Sequence, residues 1–344
     1  MEVFRRLPPA DRRDPCALTI GNFDGVHSGH RAVLAQLRRR ADELGLPTCV
    51  LTFEPHPREY FATLAASASG SAPALASATA AAPAADTGPR PPTPAPARIC
   101  TERDKLDALA ECGVDRVCIA HFNASVATLA AERFIDEIIV EGLHARYLLI
   151  GDDFRFGAKR RGDFAMLEQA AARHGFELAR IATVTRDGQR ISSSAVRAAL
   201  AAGDFARARE LLGRPYFISG HVVHGRKLGR TIGYPTLNVP IPFDRPAVEG
   251  VFVVRVHGLG ELPVAGVASL GTRPAVESDG RHLLEVHLFD FDADIYGKLV
   301  RVEFLHKLRD EAHFDSIEAL TAQIDRDAQA ARAWLRDGSA VRND

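Results

Sequence analysis

The sequence contains no Cys-x-x-Cys pair, and its five cysteines, Cys16, Cys49, Cys100, Cys112 and Cys118, are odd in number. Neither a disulfide framework nor a cysteine-based zinc module is therefore expected, and a reducing cytosol fits. Basic charge is not in excess either. Lys and Arg total 43 against 44 Asp and Glu, which argues against a dedicated nucleic-acid binder. A long Leu/Ile/Val-rich run is missing. The uncharged stretch Phe61–Ala85 is mainly Ala, Ser, Thr, Gly and Pro, so no membrane span is expected. Residues Met1–Asp14 are rich in Arg and Asp, without the apolar centre of a secretory signal. GxxxxGK[ST], GxGxxG and HExxH are all absent, which removes the P-loop, the dinucleotide fingerprint and the zinc protease from consideration.

What is present is an ordinary globular composition, 46% apolar and 25% charged over 344 residues, long enough for two domains. Short β-branched runs alternate with amphipathic segments over residues 15–60 and 98–212. Strands are expected at Ala17–Ile20, Thr48–Phe53, Arg116–His121 and Tyr147–Ile150. Helices are expected at Gly29–Leu44, from Thr101 to Gly113, at Ala130–Val140 and at Phe164–His174, with Thr101 and Asp104 resembling a capping box. This alternation implies an α/β domain with a parallel sheet.

Residues 214–312 read differently. Strand-like runs at Tyr216–His224, Val251–His257, Leu262–Ser269, Leu283–Phe289 and Leu299–Leu308 are separated by Gly, Pro and Asp turns. They suggest an antiparallel β-barrel, followed by a terminal helix over Ser316–Arg336. Short helices over 199–212 link the halves. Residues 62–97 are low-complexity Ala/Pro/Ser/Thr, which cannot bury enough apolar surface to offset chain entropy, and are expected to be disordered.

Chemistry concentrates at Gly21-Asn22-Phe23-Asp24-Gly25-Val26-His27-Ser28-Gly29-His30, between the first strand and first helix. Glycines allow close backbone approach, and a helix start offers free N–H groups to phosphate. His27 and His30 are three apart and share one side of the first turn. Alone, such a pair also reads as a capped helix start or as a metal pair lacking its third ligand.

The GNFDGVHSGH segment resembles the HxGH signature of nucleotidylyltransferases, and its FDG-containing form is similar to the prokaryotic FAD synthetase family. Four later segments agree in order: Thr52–Pro57, Phe122-Asn123, Gly151–Gly157 with Arg161–Asp163, and Arg190–Arg197. Further on, Gly220–Asn238 resembles the riboflavin kinase signature, with Pro235-Thr236-Leu237-Asn238 where PTAN is usual. Gly271–Pro274, Leu284–Asp292 with Asp294–Gly297, and Phe304–Glu311 also match the kinase pattern. Ser28 and Ser194 stand where the family usually has Leu and Thr. Without the resemblance, Arg190–Arg197 would read as a Ser-capped surface helix, Gly220–Asn238 as a hairpin loop, Asp153 equally as a turn residue or a Mg²⁺ contact, and Glu285 as a solvent-facing acid.

The resemblance implies a bifunctional riboflavin kinase/FMN adenylyltransferase. A Rossmann-like nucleotidylyltransferase domain with a parallel sheet spans 15–198, a linker 199–212, and a β-barrel kinase domain with a C-terminal helix 213–340. ATP and its phosphates fall to Gly21, Phe23, Asp24, His27, Gly29, His30, Arg190, Ser193, Ser194 and Arg197 in the first domain, and to Gly225, Lys227, Gly229 and Gly233 in the second. Flavin contacts are assigned to Asn123, Asp153, Arg273, Arg309 and Phe314. Thr236 and Asn238 are assigned to Mg²⁺, their oxygens suiting a hard cation. Leu284–Leu288 alternates, placing Glu285 and His287 on one strand face, and Glu285 is the expected catalytic base, with His27 and His30 catalytic in the other domain. The implied partners are riboflavin, FMN and ATP as substrates, with FMN and FAD as products. No nucleic acid or membrane is implied, and a weak homo-oligomer stays open. The rivals are another HxGH transferase, against which the kinase-like half argues, and a flavin-binding module without turnover, against which the retained His27, His30, Thr236, Asn238 and Glu285 argue.

Overall fold

The computed structural model describes residues 1–68, 95–181, 185–186, 189–225, 233–272 and 282–340. The chain forms two compact units. One comprises Met1–Asn22, Val33–Pro96 and Ala110–Ala182; the other comprises Phe23–Ala32, Ala97–Leu109 and Thr183–Asp344.

In chain order the elements up to residue 180 are β1 (Glu2–Phe4), β2 (Cys16–Ile20), α1 (Ser28–Leu44), β3 (Thr48–Glu54), α2 (Pro57–Ala68), α3 (Glu102–Glu111), β4 (Arg116–His121), α4 (Ala124–Ala127), α5 (Ala131–Arg133), β5 (Ala145–Ile150), α6 (Phe164–His174) and β6 (Glu177–Arg180). The first unit is built on a six-stranded sheet in the order β1-β4-β3-β2-β5-β6, parallel at every pairing. β2 is buried at all five positions, as expected of a parallel strand covered on both faces. One face packs Leu18, Leu51 and Leu148 against Ile135, Ile139 and Leu167. The other packs Ala17, Tyr147 and Leu149 against Val33, Leu37 and Ala41 of α1. Asp163 caps α6 by accepting the Met166 N–H at 3.0 Å, and Gly175 ends it in a left-handed conformation.

Three local expectations are corrected here. β1 and β6 form the sheet edges, where short runs gave no pattern. Residues Phe134–Val140 wind as a π-helix after the short α5. Helix α2 continues through Ala68, into the segment assigned to disorder from composition, because its later turns are rich in Ala, the best helix former, while Glu59 accepts the His56 N–H at 3.1 Å in the first turn.

The second unit continues with β7 (Thr185–Arg186), β8 (Gln189–Arg190), α7 (Ser193–Ala201), α8 (Phe205–Leu212), β9 (Phe217–His221), β10 (Thr236–Pro240), β11 (Gly250–His257), β12 (Val264–Thr272), β13 (His282–Leu288), β14 (Leu299–Arg309) and α9 (Ile317–Ala340). Six antiparallel strands run β10-β13-β12-β11-β14-β9. A Val223–Asn238 bridge joins the two ends, nearly closing the sheet into a barrel. Inward residues such as Val239, Phe252, Leu270, Val286 and Phe304 meet Phe205 and Leu212 of α8. Outward Val251, Val253 and Val267 meet Ala328 and Ala331 of α9. The helix is pinned by Arg309, which forks onto Asp327 at 2.7–3.1 Å. β10 escaped the sequence reading because its Pro-led, Gly-flanked approach resembles a loop.

Candidate functional site

The loop carrying His27 and His30 opens the second unit. Its backbone is unusual: Phe23, Gly25 and Val26 have φ values of +49°, +82° and +40°. Gly25 leaves no alternative, since a Cβ there would lie 2.7 Å from Ile99. A fully buried β-branched residue at positive φ is an outlier, and such strain costs about 1–3 kcal/mol unless the surroundings hold it. The Asp24 carboxylate, 2% exposed, does the holding. It accepts N–H donors from Ile99 at 3.1 Å and Cys100 at 3.3 Å and pairs with the Arg197 guanidinium at 2.6 Å. Arg197 also donates Nε–H to the Ala97 carbonyl at 2.6 Å.

His27 and His30 stack, with ring centroids 3.7 Å apart and planes 13° from parallel. The His30 N–H donates to His27 Nδ1 at 3.2 Å. Nδ1 is thus an acceptor, and the ring proton of neutral His27 sits on Nε2. Burial, with Arg197 helping and Asp24 opposing, lowers the His27 pKa from 6.5 to about 4. Burial also drives His30 well below the ordinary value, reinforced by His27, Lys105 and Arg197. Both rings are neutral near pH 7. Gly29 lies under the His27 ring, where a Cβ would sit 3.1 Å from it.

Helix α7 meets this loop. Ser192 is its N-cap, accepting from the Ala195 N–H at 3.2 Å, while Ser193 Oγ donates to the Asp24 carbonyl at 3.2 Å. Ser194 is exposed, as is Arg190. Of the residues assigned to phosphate, His27, Gly29, His30, Ser193 and Arg197 therefore converge on one loop. Asp24, also assigned there, turns its carboxylate to Arg197 and two backbone N–H groups instead.

On the barrel, β13 places Glu285 between Asn238 of β10 and Ser269 of β12. The next same-face row holds Thr236, His287 and Val267. Glu285 and His287 thus share a face, as the alternation predicted, with Thr236 and Asn238 beside them. Glu285 is exposed, whereas Asn238 is 3% exposed. Gly225 lies against the Asn238 amide, where a Cβ would come within 2.4 Å. His287 donates Nδ1–H to the Pro235 carbonyl at 3.0 Å. Gly233 turns at φ +85° just before β10. Arg309 is committed to Asp327 and lies 5.8 Å from the Phe314 ring centroid. Lys227, Gly229 and Arg273 lie outside the described residues.

In the first unit, Gly21 follows β2 and donates its N–H to Leu51 at 3.0 Å. Asn123 follows β4 and caps α4, accepting from Ser125 and Val126 N–H groups at 3.0 and 3.2 Å. Exposed Asp153 follows β5. All three sit at the carboxyl ends of parallel strands, where open α/β sheets bind ligands. The sequence reading missed the aromatic residues beside them. Phe122 packs edge-on against Phe53, Tyr60 and Phe61 with centroids 5.5–5.9 Å apart, and Phe61 is 50% exposed. Phe53 and Phe122 fell inside matching segments without being assigned a role, and nothing in the sequence singled out Tyr60 or Phe61.

Among the described residues, no group of three or more His, Cys, Asp or Glu is placed to hold a metal. No helix among them is long and apolar enough to cross a membrane.

A family model described as FAD synthetase matches residues 10–195, and one described as riboflavin kinase matches residues 212–335. The chain is 46% identical over 323 residues to the bifunctional riboflavin kinase/FMN adenylyltransferase of Escherichia coli K12, covering 94% of each chain. It is 44% identical to that of Haemophilus influenzae, covering 97% of this chain and 99% of the relative. A crystal structure from Streptococcus pneumoniae, described as a macrolide-efflux protein, matches with a TM-score of 0.67 at 28% identity, covering 96% of this chain and 98% of that one.

Proposed function

The chain belongs to the bifunctional riboflavin kinase/FMN adenylyltransferase family, and from that premise we propose that it phosphorylates riboflavin with ATP and then adenylylates FMN with a second ATP, releasing FAD and pyrophosphate. The observation that carries the adenylyl-transfer reading is the docking of α7 onto the histidine loop through Ser193 and Arg197. It brings together two motif sets separated by more than 160 residues.

In the kinase step the ribityl hydroxyl oxygen attacks the γ-phosphorus of ATP, ADP departs, and Glu285 takes the hydroxyl proton. Its exposure on the β13 face leaves the carboxylate reachable by substrate. Asn238 Oδ1 is buried without a hydrogen-bond partner among the described residues. That oxygen and the Thr236 hydroxyl suit Mg²⁺, a hard cation. When bound there, the ion supplies charge neutralisation to the phosphates.

In the second step an FMN phosphate oxygen attacks the α-phosphorus of ATP and pyrophosphate leaves. The nucleophile is already an anion, so no base is required. The need is positioning and stabilisation of charge on phosphate oxygens. His27 Nε2–H and the first turn of α7 supply donors, and Arg197 supplies fixed positive charge. The Phe53, Tyr60, Phe61 and Phe122 cluster offers apolar faces to an isoalloxazine ring, with Asn123 and Asp153 at the neighbouring strand ends. The five cysteines, all free thiols, suit a reducing cytosol.

The test is to incubate the protein with riboflavin, ATP and Mg²⁺ and separate the flavins by chromatography. FMN followed by FAD is expected. FMN without FAD at saturating ATP would reduce the chain to a kinase, and binding without either product would favour a flavin-binding module.

A further inference from the structure

We infer that Arg214 and Asp104 are positioning residues for adenylyl transfer, holding the histidine loop in place from the barrel side of the second unit. The inference rests on the reading of His27 and His30 as the phosphate-binding pair. Neither residue lies among the groups assigned to ATP or flavin, and Asp104 was read from the sequence only as part of a local capping box.

The segment 97–105 lies between the histidine loop and the barrel and is bonded to both. Arg98 pairs through its backbone in both directions with the barrel connection, donating to Arg245 at 2.7 Å and accepting from Ala247 at 3.0 Å. The next two residues face the other way. Ile99 and Cys100 donate N–H groups to Asp24, and the Gly25 N–H points to Cys100 Sγ at 3.1 Å. Four residues later the segment returns to the barrel. Asp104, 1% exposed, accepts the Ser219 N–H of β9 at 3.1 Å. Its Oδ1 has no partner among the described residues, nor does the hydroxyl of Tyr216, which is 2% exposed. Asp104 also resembles the second residue of a capping box, yet Thr101 Oγ1 accepts its N–H at 3.1 Å while its carboxylate goes to β9. The side chain is used for long-range attachment.

Arg214 makes the direct link. It precedes β9, lies 4.6 Å from the Phe217 ring centroid, and donates to the Gly25 carbonyl at 3.1 Å. Gly25 is the residue at φ +82° whose neighbours Phe23 and Val26 are also left-handed. The loop cannot relax toward ordinary φ values while its centre is held by Arg214 and its carboxylate by residues 99–100. The barrel therefore acts on the adenylyl-transfer step without touching its substrates, through the backbone that aims His27 and His30.

The chain supplies its own control, because FMN formation reports on the integrity of the barrel. Arg214→Met removes the guanidinium, and with it both the donor to Gly25 and the cation–π contact on Phe217, whose loss FMN formation registers as a barrel effect. Arg214→Lys keeps a donor. FAD formation from supplied FMN and FMN formation from riboflavin are measured on the full chain for both variants and for Asp104→Asn and Asp104→Ala. Arg214→Met should lower kcat for FAD formation by about tenfold to a hundredfold, the cost of misplacing catalytic groups by about an ångström. KM for ATP should move less, and FMN formation should stay close to wild type. Arg214→Lys should recover most of the loss. Asp104→Asn, which keeps an acceptor for Ser219, should be milder than Asp104→Ala. Unchanged FAD formation in Arg214→Met, equal loss of both products, or no recovery by lysine would each overturn the inference. His30→Ala separates the levels. If it leaves FAD formation intact, the phosphate-site reading itself fails, whatever Arg214 does.

Discussion

Acid should destabilise this protein through His27 in a way that one substitution removes. The His27 ring is 3% exposed and its Nδ1 accepts the His30 N–H, so protonation must both charge a buried ring and break that bond. Its pKa is lowered from 6.5 to about 4 in the folded chain. The unfolded state therefore binds more protons between those values. Stability is insensitive to this group above pH 7, falls as pH drops below 6.5, and levels off below about pH 4. With these two pKa values, the linkage penalty grows from about 0.2 kcal/mol at pH 7 to about 2 kcal/mol at pH 5. His30 shifts in the same direction and adds to it. The perturbation is His27→Asn, which places an amide oxygen where Nδ1 accepts and does not titrate. Urea unfolding of both proteins is followed from pH 8 to pH 4.5. At pH 7 the variant is expected to be modestly weaker. By pH 5 the gap should have narrowed or reversed by about 2 kcal/mol. If the two proteins lose stability in parallel through this window, His27 is not held neutral, and the argument from burial is wrong.

Other expectations follow from the same geometry. His30→Ala should cripple FAD formation and spare FMN formation, because the two chemistries use separate groups; equal loss in a folded variant would refute the assignment. Glu285→Gln should slow FMN formation by about 10²–10⁴-fold while riboflavin still binds and supplied FMN is still adenylylated. His287→Gln is the companion, and normal turnover by Glu285→Gln alongside loss by His287→Gln would move the base. Arg309→Met removes the fork onto Asp327, whose side chain is 9% exposed against 25% for Arg309. It should lower stability by about 1–3 kcal/mol, seen as a lower Tm, and an unchanged Tm would mean that packing alone docks α9.

The two sheets were legible in the sequence because most of their strands are β-branched and bounded by turns, and the face shared by Glu285 and His287 followed from alternation. Glu285 and His287 share a face because a strand leaves no alternative. What stayed hidden depends on distance along the chain. Nothing near Asp24 announces that its partner is Arg197, 173 positions later, so its carboxylate was grouped with the phosphate ligands. Asp104 looked like a local cap, and only the fold shows that it reaches β9. The Phe53, Tyr60, Phe61 and Phe122 cluster draws on β3, α2 and the loop after β4 and has no periodicity of its own. The edge strands β1 and β6 were too short to carry a pattern. The boundary of the low-complexity region was set by composition, whereas the same Ala content favours helix and α2 runs on to Ala68.

The anchoring of Ala97 and Arg98 has a consequence for engineering. The Ala97 carbonyl is held by Arg197 and Arg98 is paired in both directions with the barrel connection. Chain of any origin spliced between Ala68 and Ala95 therefore meets a clamp before it meets a reactive group, and the closure cost of extra length grows only logarithmically. A passenger placed there, an epitope or a dye-binding peptide, is expected to leave flavin turnover intact, and FMN and FAD formation by the same chain measures whether it does.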